Sequence, residues 1–123
     1  MNTRPPDQYT QVQGHTVRYW TQGDTGPTVL LLHGISCSVL EWEHTIAALA
    51  TQHRVIALDL LGCGLSDKPL DADYDMLSQA KFVFAFMDTM GLGQVSMVGN
   101  SIGGCIALEC AAMHPERVTS LVL

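Results

Sequence analysis

The sequence predicts an α/β domain with a largely parallel central sheet and flanking helices. Three observations carry this. Short β-type runs alternate with helical patterns along the chain. One run, Thr28-Val29-Leu30-Leu31-Leu32, is almost wholly apolar, as suits a strand buried on both faces of a parallel sheet. Another run, Val95 to Val98, passes through Gly99-Asn100-Ser101-Ile102-Gly103-Gly104 directly into an Ala-rich helical stretch, Cys105 to Met113.

Residues 1–8 read as a flexible lead-in and residues 9–123 as one domain. Tyr9 to Gln13 and His15 to Gln22 are strand-like and split by Gly14, which predicts a hairpin. Gly23 to Pro27 is a turn before the strand at 28–32. Ser38, with Glu41 three residues on, forms a capping box. It predicts a helix that turns Leu40, Ile46, Ala47 and Leu49 inward and ends near Gln52. Arg54 to Leu58 is the next strand. The glycine-rich loop Asp59 to Pro69 has neither G-K-[ST] nor G-x-G-x-x-G, so it is no phosphate loop. Tyr74 or Asp75 starts a second helix, apolar through Leu77, Ala80, Phe84 and Met87, which runs to about Met90 and stops at Gly91 and Gly93. His114-Pro115-Glu116-Arg117 closes the last helix, and Val118 to Leu123 begins a further strand.

Hydrophobic residues make up 47% of the 123 and charged residues 15%, enough apolar material for a packed core. The net charge of -6 and the lack of any basic run argue against nucleic acid or an anionic membrane as partner. The N-terminus lacks the apolar core of a secretory signal. No apolar run approaches transmembrane length. Cys37, Cys63, Cys105 and Cys110 show no C-x-x-C spacing. They are expected to be reduced and mostly buried, in a cytoplasmic protein with no metal site and no cofactor.

Gly99 and Gly103 bracket Ser101 in the order G-x-S-x-G. A strand that turns this sharply into a helix crowds the residues two before and two after the turn, so small residues belong there, and Gly104 extends the close approach. The turn residue is held strained, with its side chain clear of the sheet. Ser101 is therefore the candidate nucleophile. The competing reading is a serine that merely caps the helix. Ligands of such sheets bind beyond the carboxyl ends of the strands. Three loops land there: His33-Gly34-Ile35, Asp59 to Asp67, and Asn100-Ser101-Ile102.

From Tyr9 onward the chain resembles the α/β-hydrolase superfamily. His33-Gly34 with Ser38 and Trp42 is similar to the H-G-x-x-x-S-x-x-x-W segment after the third strand. Arg54 to Asp59 with Gly62, Gly64, Ser66 and Asp67 is similar to the segment after the fourth. Gly99 to Gly103 resembles the nucleophile elbow, and Pro115 to Val118 the link into the sixth strand. The resemblance implies an oxyanion hole made by the backbone N–H groups of Ile102 and Ile35. His33 is read as a brace for its loop, Asp59 and Asp67 as loop bracing or solvated carboxylates, and Trp42 as core packing. Serine at the elbow sets the chain apart from the haloalkane dehalogenases and epoxide hydrolases, which place Asp there. Asn100 before it occurs in meta-cleavage (C–C bond) hydrolases and pheophytinase-like proteins, though the His33-Gly34 loop lacks the longer Gly-rich form of the C–C enzymes. The implied substrate is a small, apolar acyl compound, an ester, thioester or lactone. The alternatives are a C–C bond hydrolase or a catalytically inactive binding module.

The family supplies nucleophile, acid and histidine in that chain order. After Ser101 only Glu109, His114 and Glu116 remain. At 1.5 Å per helical residue His114 would lie on the order of 18 Å from Ser101 and Glu109 roughly 12 Å away, outside hydrogen-bond reach. The expectation is the amino-terminal portion of an α/β-hydrolase domain, cut after about the sixth strand. The acid, the histidine and any lid would then lie beyond Leu123. Oligomeric state is left open.

Overall fold

In the computed structural model, which describes residues 4–123, six strands form one sheet. Residues 1–3 of the expected lead-in lie outside the described residues. β1 (Gln8–Val12) and β2 (His15–Gln22) pair as an antiparallel hairpin. Its two loop residues, Gln13 and Gly14, both have positive φ, the turn geometry that matches strand twist. β3 (Thr28–Leu32), β4 (Arg54–Leu58), β5 (Val95–Gly99) and β6 (Val118–Val122) follow, each within a residue of its expected bounds. The order is β1-β2-β4-β3-β5-β6. β2 meets β4 antiparallel; β4, β3, β5 and β6 run parallel.

Successive side chains of a strand face opposite ways, and both faces of this sheet are covered. Leu30 and Leu32 pack with Phe86 and Met87 of α2 (Met76–Thr89) and Ile106 of α3 (Ile102–Met113). Val29 and Leu31 pack on the other face with Trp20, Trp42 and Ile46, the last from the short α1 (Ile46–Leu49). That is why β3 is an apolar run and not an alternation. Each such side chain contributes about 1.5–3 kcal/mol on burial. Among the described residues no helix is long and apolar enough to cross a membrane.

Three expectations are corrected. The helix from Ser38 to Gln52 is two pieces, a 3-10 turn at Val39–Trp42 and α1. The Ser38 hydroxyl accepts from the Leu40 N–H and Asp59 takes the Val39 N–H, so the first turn tightens and Leu40 faces solvent. Leu77 of α2 is also exposed. Cys37 and Cys105 are exposed as well: Cys37 lies in the loop after β3, and Cys105 is on the solvent side of α3.

Candidate active site

β3 and β5 are neighbours, with Leu32 opposite Gly99. The chain leaves β3 toward β4 on one side and β5 toward β6 on the other. This is the switch point of the sheet, where a crevice opens beyond the strand ends. The three predicted loops meet there, with Ile35, residues 61–64 and Ile102 lining one cavity. The Asn100 N–H donates to the Leu32 carbonyl at 3.1 Å, and a Cβ on Gly34 would lie 3.4 Å from Ser101 Cβ.

Ser101 has φ 58° and ψ -121°, a conformation that L-residues rarely adopt. Its side chain makes no capping bond to α3, against the capping alternative, and the residue is exposed. Close contacts hold the turn. A Cβ on Gly99 would come within 2.5 Å of the Gly103 carbonyl oxygen, and one on Gly103 within 2.2 Å of the Leu32 carbonyl oxygen. At Gly104 the nearest atom would be 3.4 Å away, so the steric demand falls on Gly99 and Gly103. α3 begins at once, the Gly103 N–H bonding to the Asn100 carbonyl. Ile102 is the first helical residue, and its N–H belongs to the turn without intrahelical acceptors.

His33 is fully buried. Its Nε2 accepts the Leu60 N–H at 3.0 Å, so the proton resides on Nδ1, which donates to the Gly34 carbonyl at 2.8 Å. Both ring nitrogens are spent, and His33 has no free lone pair for Ser101. The Cys37 N–H shares the Gly34 carbonyl at 3.1 Å, and Glu41 Oε1 accepts the Gly34 N–H at 2.8 Å. Ser36, at φ 58°, is a second strained residue.

Asp59 is fully buried and braces the Asp59–Asp67 loop. Its Oδ1 takes the Val39 N–H at 2.8 Å, and its Oδ2 takes the Leu65 N–H and Arg18 Nε–H at 2.7 Å each. Burial works against the Arg18 charge, but Asp59 and Asp7 together outweigh it and raise the guanidinium pKa above its ordinary value. Asp67 accepts the Thr16 N–H at 2.8 Å. Sequence reasoning passed over Arg18 and the Glu41 bond. An Arg inside a strand reads as a solvated residue, and Glu41 fits a cap.

A cavity of about 590 Å³ runs between the loop after β3 and the Asp59–Asp67 loop, walled by Ile35, Ile102, Leu61, Leu70, Tyr74 and Gln79. The Gln79 Nε2 donates to the Leu61 carbonyl at 3.0 Å, while its Oε1 is buried without a donor. Cys63, also in the wall, is pushed up by burial and by Asp59, which disfavours a thiolate nucleophile. His114 sits at the far end of α3, edge-on to Phe84 and 3.2 Å from Glu116 Oε1. Neither His114 nor Glu116 is brought to Ser101, and Glu109 lies two turns along α3. Among the described residues no group of three or more His, Cys, Asp or Glu is placed to hold a metal ion.

A family model for the alpha/beta hydrolase fold matches residues 27–123. The chain belongs to the α/β-hydrolase fold family. Within this family it is 40% identical, over 101 residues, to the 2-hydroxymuconate semialdehyde hydrolase of Pseudomonas sp. (strain CF600), covering 80% of this chain and 36% of that protein. A haloalkane dehalogenase of Mesorhizobium japonicum is 36% identical over 119 residues, covering 97% of this chain and 38% of that protein. The crystal structure of a membrane phospholipase A, a bacterial virulence factor, matches with a TM-score of 0.92 at 38% identity over 94% of this chain. The match spans 38% of that phospholipase chain, so the matched part of this chain covers little more than a third of each of these relatives.

Proposed function

We propose that the chain is the nucleophile-bearing part of a serine hydrolase that cleaves a small, apolar acyl compound by acyl transfer. Ser101 carries the reading: an exposed serine at φ 58°, with no capping bond, at the switch point of an α/β-hydrolase sheet. Its Oγ attacks the substrate carbonyl carbon and passes its proton to a histidine supplied by later segments of the whole protein. The carbonyl oxygen becomes an oxyanion held by the Ile35 and Ile102 N–H groups, both residues lining one cavity. Collapse expels the leaving group, and water then releases the acyl group from Ser101. The apolar cavity wall and the phospholipase A among its structural relatives support an acyl ester.

A second reading is C–C bond hydrolysis of the meta-cleavage type. It draws on Asn100 and on the identity with the semialdehyde hydrolase.

A fluorophosphonate probe applied to the whole protein tests the nucleophile. Labelling should be lost in Ser101→Ala. Labelling that survives moves the nucleophile elsewhere, and no labelling in the parent favours an inactive binding module. Comparing kcat/KM on p-nitrophenyl acyl esters with that on a meta-cleavage product separates the two readings.

A further inference from the structure

We propose that Glu41 is a positioning residue for the oxyanion loop, clamping the peptide that precedes the Ile35 N–H. Its catalytic consequence rests on the acyl-transfer reading above. In a capping box the Glu41 side chain would turn back to the Ser38 N–H. Here Oε1 reaches the Gly34 N–H at 2.8 Å instead. The Gly34 carbonyl is held at the same time by His33 Nδ1 at 2.8 Å and the Cys37 N–H at 3.1 Å. Gly34 is thus gripped on both sides.

A peptide unit is planar and trans, so the Ile35 N–H points opposite to the Gly34 carbonyl. With that carbonyl turned onto His33 and Cys37, the Ile35 N–H is directed away from them. Glycine has no side chain to restrict its own angles, and Ser36 is itself at φ 58°. The loop therefore keeps its shape through its hydrogen bonds and not through backbone preference. Glu41 holds the peptide on one side of Gly34, and His33 with Cys37 holds the other. Without Glu41 the peptide between His33 and Gly34 loses its anchor, and only the two bonds to the Gly34 carbonyl are left to hold the Ile35 donor in line. The useful property of Glu41 is its acceptor, not its charge, since a nearby negative charge opposes an oxyanion.

The test measures kcat and KM of the whole protein on p-nitrophenyl butyrate, and inhibition by an alkyl boronic acid, which forms a tetrahedral adduct on serine. Glu41→Ala should lower kcat about tenfold with KM little changed, and weaken the boronic acid by a similar factor. That is less than full loss of an oxyanion donor, because the donor is misaligned and not deleted. Glu41→Gln keeps the acceptor and should restore both. Glu41→Asp keeps the charge but falls one methylene short, so it should behave as Glu41→Ala does. It also carries the decision if the alanine variant does not fold. An alanine or aspartate variant equal to the parent overturns the proposal, as does a Gln variant as poor as the alanine.

Amide hydrogen exchange at Gly34 reads the clamp without catalysis. It should quicken in Glu41→Ala and stay near the parent rate in Glu41→Gln. Unchanged exchange in the alanine variant also overturns the proposal. A parent that Ser101-directed probes fail to label sinks the acyl-transfer reading instead, and the exchange data still decide the clamp.

Discussion

Ser101 is held at φ 58° and ψ -121°, at a cost of about 1–3 kcal/mol that the surrounding contacts must offset. Those contacts are specific enough to test. In Gly103→Ala the new Cβ would sit 2.2 Å from the Leu32 carbonyl oxygen, a backbone atom that cannot swing aside. The variant should lose about 1–3 kcal/mol or more of stability, read as a lowered Tm. An unchanged Tm would mean that the elbow is looser than these contacts imply. Ile35 makes the opposite kind of prediction, because its proposed role lies in its backbone. In the whole protein Ile35→Val keeps the N–H and should change kcat/KM only modestly. Ile35→Pro deletes it and should lower kcat/KM by about 10²–10³. Circular dichroism must show both variants folded. A folded proline variant within a few-fold of the parent removes Ile35 from the oxyanion hole.

Elements take their ends from side chains as much as from periodicity. α2 starts where Asp75 accepts the Ser78 N–H at 2.7 Å. That backbone bond, foremost, holds the Asp75 carboxyl below its ordinary 3.8. A carboxyl whose pKa is depressed on folding stabilises the native state at pH above its ordinary value. The contribution fades as pH falls through the depressed one. Asp75→Ala should therefore lower Tm near neutral pH, and the gap from the parent should close as the pH drops below the ordinary carboxylate range. A gap that persists there would mean that the cap acts without its charge. The 3-10 turn at Val39–Trp42 shows the same principle in reverse. Glu41 and Asp59 draw local groups into the loops, and the helix that the capping box predicts breaks after one turn.

At the scale of the whole molecule the sheet has two different edges. β1, with Gln8, Tyr9, Thr10 and Gln11, is mostly polar. Among the described residues β6 pairs only with β5, and Val122 and Leu123 are exposed, Leu123 lying near Gly104 of α3. An open strand next to an apolar patch invites pairing with another chain. The 123-residue chain expressed alone should self-associate, measured by size-exclusion chromatography with light scattering. A monodisperse monomer with one cooperative thermal transition would count against this.

By itself the sequence determined the strands, the two long helices and the place of Ser101. Each of these rests on local patterning: an apolar run for a strand buried twice, 3.6-residue periodicity for α2, and small residues where a strand turns into a helix. What joins residues far apart in the chain was decided only by the tertiary structure. His33 meets Leu60, Arg18 meets Asp59, and Glu41 turns from Ser38 to Gly34. Each of these polar groups had a plausible partner nearby or in solvent. Burial removed the water, and the order of the strands brought a better partner within reach.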